Sequence, residues 1–310
     1  MKTKQRRLLV GIETTSGTPI PIANCALMTV SEIESAPYEG DRAERTRIKQ
    51  LFGADQEINM APYATVTVTL PLAGSGTVGT APSFGPILRA LGMRELIDAG
   101  VDVRYLPATE DHETITVYFV EDGQLQCVPG CKGTAEFNFT AKQFPTMQVT
   151  LTGLYQRPVS HSAALTQTLD NFAGEIPVNK QNTTKFNVHG FDNCGQSLSL
   201  TVGNEVIHRN LAGCERIEIT NRMMTGTVEV EAPTITQKNY FEALESHSTV
   251  TTGAIGFTHG TTAGNIIEFL APKAQLSTIS RSDSDGIVHY SLGARFLPDE
   301  GDDESLFIFK

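Results

Sequence analysis

Four groups of residues have the types and spacing that chemistry asks for. Gly74 to Gly79 reads GSGTVG, the G-x-G-x-x-G spacing that lets a backbone close on a pyrophosphate at a helix start. Glu95 or Asp98 follows about where a ribose-binding acid would stand. Cys127 and Cys131, spaced C-V-P-G-C, offer two thiolates to a metal ion. Glu110-Asp111, Glu121-Asp122 and the run Asp299 to Glu304 (DEGDDE) offer carboxylates for acid–base work or for calcium. Histidines stand at 112, 161, 189, 208, 247, 259 and 289.

Each group also has a plainer reading. The segment before GSGTVG alternates with threonine, whereas a buried parallel strand runs continuously apolar, and Pro82 separates the glycines from the next helix. No second cysteine pair with ligand spacing follows, so the thiols read as small buried or turn residues. The histidines form no H-x-x-x-H or H-x-E set, and no G-x-S-x-G elbow is present. Acid clusters in loops read as solvated. The expectation is a non-enzyme with no catalytic, cofactor-binding or metal residues.

The elements that would position any site come from composition and pattern. Hydrophobic residues are 40% and charged residues 19% of the 310, enough apolar material for a real core. Net charge is −11 and both halves are acidic, which opposes phosphate binding. Five cysteines, an odd number spread over a long chain, suit a reducing cytoplasm. The basic stretch Met1 to Arg7 leads into too short an apolar run for a signal peptide or a membrane span.

Period-two alternation bounded by Gly and Pro predicts strands at 65–70, 114–120, 134–139, 146–154, 216–220 and 227–231. Helices are predicted at Phe84 to Leu91, between Ser83 and Gly92, and at Thr236 to Ser246. The fold class is mainly β with one packed helix per domain.

An ordered set of matches points to a tandem repeat. Asn24-Cys25 and the strand ending Thr29-Val30 match Asn193-Cys194 and the strand ending Thr201-Val202. TVTVTLP (65–71) matches TVEVEAP (227–233), and Ile87 to Leu91 matches Tyr240 to Leu244. Tyr155 before Pro158 matches Phe296 before Pro298. This divides the chain into residues 1–158, a linker at 159–180 and residues 181–310. The copies are expected to differ by one insertion, a charged arm at 31–57, against a short equivalent at Gly203 to Glu215.

The stretch Tyr63 to Met93 (YATVTVTLPLAGSGTVGTAPSFGPILRALGM), with Glu113 to Phe119, the turn Asp122-Gly123 and the strand Thr146 to Pro158, resembles the tail tube (major tail) proteins of long-tailed, non-contractile bacteriophages. That resemblance implies two tandem tail-tube-like β-sandwich or barrel domains. In tubes of this kind six domains close a ring whose inner sheets join, so a duplicated chain needs three copies. It implies a virion structural protein, assembled in the host cytoplasm, whose stacked rings conduct DNA without binding it. Partners would be other copies, the tape-measure protein, the tail terminator and baseplate proteins. The arm, through Glu32, Glu34, Glu39, Asp41, Arg42, Glu44, Arg45, Arg47 and Lys49, would contact the neighbouring ring. A baseplate or tail-completion ring of the same fold is the alternative; an NAD-type oxidoreductase or a β-rich binding module stands further off.

Overall fold

The computed structural model describes residues 6–161, 166–245 and 247–310. The first half contributes β1 (Arg6–Ile12), β2 (Ala26–Met28), β3 (Glu32–Glu39), β4 (Arg42–Glu44), β5 (Glu57–Asn59), β6 (Tyr63–Pro71), α1 (Gly85–Ala90), β7 (Met93–Asp98), β8 (Asp102–Pro107), β9 (Ile115–Glu121), β10 (Gln124–Thr140) and β11 (Thr146–Leu154). After the short β12 (Val159–Ser160) come β13 (Thr183–Val188), β14 (Phe191–Asp192), β15 (Gly195–Thr201), β16 (Asn204–Leu211), β17 (Cys214–Arg222) and β18 (Thr225–Glu231). The chain ends with α2 (Phe241–Leu244), β19 (Thr252–His259), β20 (Ile267–Ser284), β21 (Ile287–Phe296) and β22 (Leu306–Phe309). The fold is mainly β.

Alternation builds the principal sheet. In β6 Ala64, Val66, Val68 and Leu70 are buried while the threonines between them face out. In β11 Met147, Val149 and Leu151 do the same, and the register aligns Met147 with Leu70 and Val149 with Val68. A one-residue slip would turn every one of these side chains to the wrong face. The sheet runs β3-β6-β11-β10 in the first half and β15-β18-β21-β20 in the second, and β10 pairs with β15 through Glu136↔Thr201 to Thr140↔Ser197. The result is one antiparallel sheet of eight strands, four from each half.

Both long strands serve two sheets. In β10 the register shifts between Val128 and Cys131, where Gly130 takes φ +65°; its early residues pair with β9, its later ones with β11 and β15. A bulge of this kind bends a strand and re-aims it. In β20 a shift between Leu276 and Thr278 does the same, with β19 paired to the early part. Behind the principal sheet lie β2-β1-β9 and β14-β13-β19, so the pairing order of the second half repeats that of the first. Leu8, Val10 and Val117 from the rear and Val66, Val149, Leu200 and Leu292 from the front belong to one buried apolar cluster.

The halves share that core. Phe137 meets Phe307 at 4.5 Å between ring centroids and Phe139 meets Phe257 at 4.6 Å, distances at which aromatic pairs add to plain burial. The last strand, β22, lies between β20 of the second half and β8 of the first.

Every strand predicted from alternation is present, β11 with its predicted bounds. The second helix shrinks from Thr236 to Ser246 to the single turn of α2, because Thr234 and Asn239 take the local turns before it: Gln237 N donates to Thr234 O and Phe241 N to Asn239 Oδ1. Ser246 lies outside the described residues, as do Met1 to Gln5 and residues 162–165 of the predicted linker.

Two repeat readings are corrected. Thr29-Val30 precedes β3 whereas Thr201-Val202 ends β15, its counterpart in the sheet, so the first match joins positions that are not equivalent. Nor is the insertion one-sided. Residues 40–62 link β3 to β6 and residues 202–224 link β15 to β18, 23 residues each, and each link folds as a hairpin. The second hairpin reads as ordinary strand because it is packed, the first as an irregular arm because it is not.

Candidate assembly surfaces

GSGTVG is a junction between the halves. Gly74 N donates to Asn265 Oδ1 at 2.7 Å and Gly76 N to Gly264 O at 2.9 Å. A Cβ on Gly74 would stand 2.1 Å from Gly264 O, so the glycine is required by close backbone approach. These amides are turned to protein acceptors, and α1 begins only at Gly85.

The thiols are held neutral by burial, which pushes Cys25 up to about 12, Cys127 up to about 11 and Cys131 well above its ordinary value. Among the described residues no three His, Cys, Asp or Glu side chains gather around a common centre. His189 and His259 are lowered by burial, and Nε2 of each ring meets a backbone carbonyl, Ala274 O and Ile176 O.

The run DEGDDE is a clip. Asp302 accepts from the Thr109 amide and hydroxyl, and Arg222 reaches Asp302, Glu304 and Ala108 O at 2.6–3.2 Å. Partial burial pushes Asp302 up, but the Thr109 and Arg222 contacts outweigh it and hold the carboxyl below its ordinary value. Nearby, Arg89 is paired with Glu113 and Glu95, and the cleft of about 370 Å³ beside it is lined by Glu110, Asp111, His112 and Asp302. Glu13, which sequence reasoning passed over, is buried and accepts four hydrogen bonds, from Thr114, Thr116, Gly17 N and Gly130 N at 2.7–2.8 Å. It fixes the 13–17 loop to the β10 bulge.

The face of the principal sheet turned away from the core is lined by hydroxyls. Across paired rows stand Glu34, Thr67, Thr150 and Thr134; Asn138, Ser199, Thr227 and Gly293; and Thr140, Ser197, Glu229, Ser291 and Ser280. Its carboxylates accept from serines: Glu136 from Ser199 at 3.0 Å, Glu229 from Ser282 at 3.0 Å and Ser197 at 3.4 Å. Of the cations on this face, Lys132 is neutralised by Glu218 at 3.2 Å.

Neither outer edge of the sheet has a strand partner among the described residues, although Arg6 and Gln126 side chains donate to Ile33 O and Pro37 O of β3. β3 pairs only with β6, and β20 beyond Leu276 pairs only with β21. Unpaired edges are templates for another chain, and proteins that do not use them cover or blunt them. Residues 3–295 match the family described as phage tail tube protein. The chain belongs to that family. It is a structural component of a phage tail, built to assemble with copies of itself. No curated protein matches the chain.

The residues assigned to the arm divide between two places in this tail tube protein. Glu32, Glu34 and Glu39 lie in β3, with Glu39 accepting from Thr65 Oγ1 at 2.6 Å. Asp41, Arg42, Glu44, Arg45, Arg47 and Lys49 lie in the 40–62 link, where Arg42 pairs with Glu57 at 3.4 Å and Lys49 with Asp55. Ile48, Leu51 and Phe52 stand exposed at its tip. Sequence reasoning missed the hydroxyl face, although its signal, Thr or Ser at every second residue of 65–69, 150–152 and 197–201, was in plain view.

Proposed function

We propose that three copies of the chain close a ring, that rings stack into the tail tube, and that DNA passes along the hydroxyl face. One observation carries this reading: the β10–β15 junction already joins two four-stranded sheets edge to edge, and β20 and β3 are the strands left bare in the corresponding positions. Pairing β20 of one copy with β3 of the next repeats the internal junction. Repetition by a fixed rotation closes a cyclic ring with apparent sixfold symmetry and leaves neither edge of the principal sheet exposed. Two tandem tube domains, residues 1–158 and 181–310 around the segment 159–180, are the units of that symmetry.

The inner wall in this reading is mainly hydroxyl with rings of carboxylates at Glu34, Glu136 and Glu229, which repel phosphates, while Arg295 at one end of the face is the cation that a partner has to neutralise. The exposed tip Ile48, Leu51 and Phe52 reaches the adjoining ring, with Arg47 beside it. Tape-measure, terminator and baseplate proteins then meet the tube at its ends and in its lumen, after assembly in the host cytoplasm.

Electron microscopy of the purified full chain, averaged down the particle axis, tests the ring: hollow threefold or apparent sixfold particles are expected, and monomers at every concentration would overturn it. Hydrogen exchange tests the edges. Amides of 32–39 and 277–284 should gain protection on assembly; unchanged exchange in both would sink the proposed pairing.

A further inference from the structure

We infer that the β4–β5 hairpin of one copy seats on the second half of the neighbouring copy, in the groove over β18, β21 and β20, as β16–β17 seats on β6, β11 and β10 within the chain. This rests on the ring reading above and adds a second contact to each junction. The two hairpins start alike. Each begins at a glycine of positive φ, Gly40 at +137° and Gly203 at +67°, whose Cβ would stand 2.2 Å from a carbonyl oxygen on the returning limb, Ala61 O and Met223 O.

The internal hairpin is anchored at one end of the hydroxyl face of the first half, at Tyr63, Lys132 and Thr134. Asn204 N donates to Thr134 Oγ1, Glu218 pairs with Lys132, and His208 lies 5.3 Å from the Tyr63 ring. In the second half Thr225 takes the place of Tyr63 in the first position of its strand. There the face is uncovered: a groove of about 170 Å³ is lined by Thr201, Thr225, Thr227, Ser277, Gly293 and Arg295. The other hairpin lacks a seat. The side-chain hydrogen bonds and ion pairs of residues 41–60 all stay within the 40–62 link.

Charge fits one to the other. Glu44 and Glu57 stand directly opposite in the β4–β5 ladder, an arrangement that like charges disfavour unless a cation joins them. Arg42 reaches Glu57, but Glu44 has no ion pair among the described residues, and neither has Arg295 in the groove. Seating the hairpin brings the unpaired guanidinium to the unpaired carboxylate.

Assembly of the full-length chain, read as the concentration at which half sediments as rings or tubes, tests this with circular dichroism as the check on folding. Arg295→Glu should raise that concentration about tenfold, Glu44→Arg should do the same, and the two together should return it to within about threefold of wild type, as complementary charges at an interface do. Rings from Arg295→Glu at the wild-type concentration, or a double variant no better than the singles, would overturn the seating and leave the ring standing. A wild-type chain that forms no rings would remove both.

Discussion

The hairpins β4–β5 and β16–β17 occupy the same place in the repeat and have the same length of chain, yet one is bound and the other bare. In β16–β17 Ile217 is buried, Asn204 donates to Leu91 O and Gly133 O, and Arg222 binds three acceptors in the first half and the C-terminal segment. In β4–β5 the ladder is three residues a side and the apolar side chains of the tip face water. The difference teaches that a docking element takes its order from its seat. Where the seat is in the same chain the hairpin folds against it; where the seat belongs to another copy, the hairpin waits exposed.

Substitutions sharpen the contrast, largest stability effect first. Arg222→Ala should cost about 3 kcal/mol in denaturant unfolding, since Glu304 would be left nearly buried without its partner. Asn204→Ala should cost about 2 kcal/mol by the same measurement, because it strands two buried carbonyls. A loss under about 0.5 kcal/mol at both positions would mean that β16–β17 is as loosely held as β4–β5.

Acid should loosen the seated hairpin first. Glu218 is pushed up by partial burial but lowered further by Lys132 and Arg216, and falls below its ordinary 4.5 overall. A carboxyl depressed on folding contributes stability that is present above its unfolded pKa and is lost as pH falls through the folded one. Asp302 acts in the same direction. The wild type should therefore lose stability below about pH 4.5, and Glu218→Gln with Asp302→Asn should flatten that part of the profile measured by thermal melts.

The smallest effect on stability should come from shortening the bare hairpin. Removing residues 46–55 should shift the unfolding free energy by less than about 0.5 kcal/mol, as surface changes away from packed features do, while abolishing long tubes in electron micrographs. The deletion must stop short of 31–39, because β3 is part of the principal sheet. Tubes of normal length from this variant would remove the proposed role of the tip.

Much of this was legible in the residues. Strict alternation at 65–70 and 146–154 determined strands, faces and therefore half of the core, because a side-chain period of two leaves one arrangement with its apolar side buried. Proline, serine and Gly92 around 82–92 determined α1. The match of TVTVTLP with TVEVEAP aligned β6 with β18, which hold the same place in the pairing order of the two halves. Tertiary structure alone decided that β10 pairs with β15, that GSGTVG meets Gly264 and Asn265, and that DEGDDE clips three segments together, since each contact joins residues more than 50 apart whose local sequence is the same whether or not the partner is near. It also decided that the two hairpins are counterparts. A packed hairpin and a bare one have different side chains, and only the shared path of the backbone, from Gly40 and from Gly203, makes them one element.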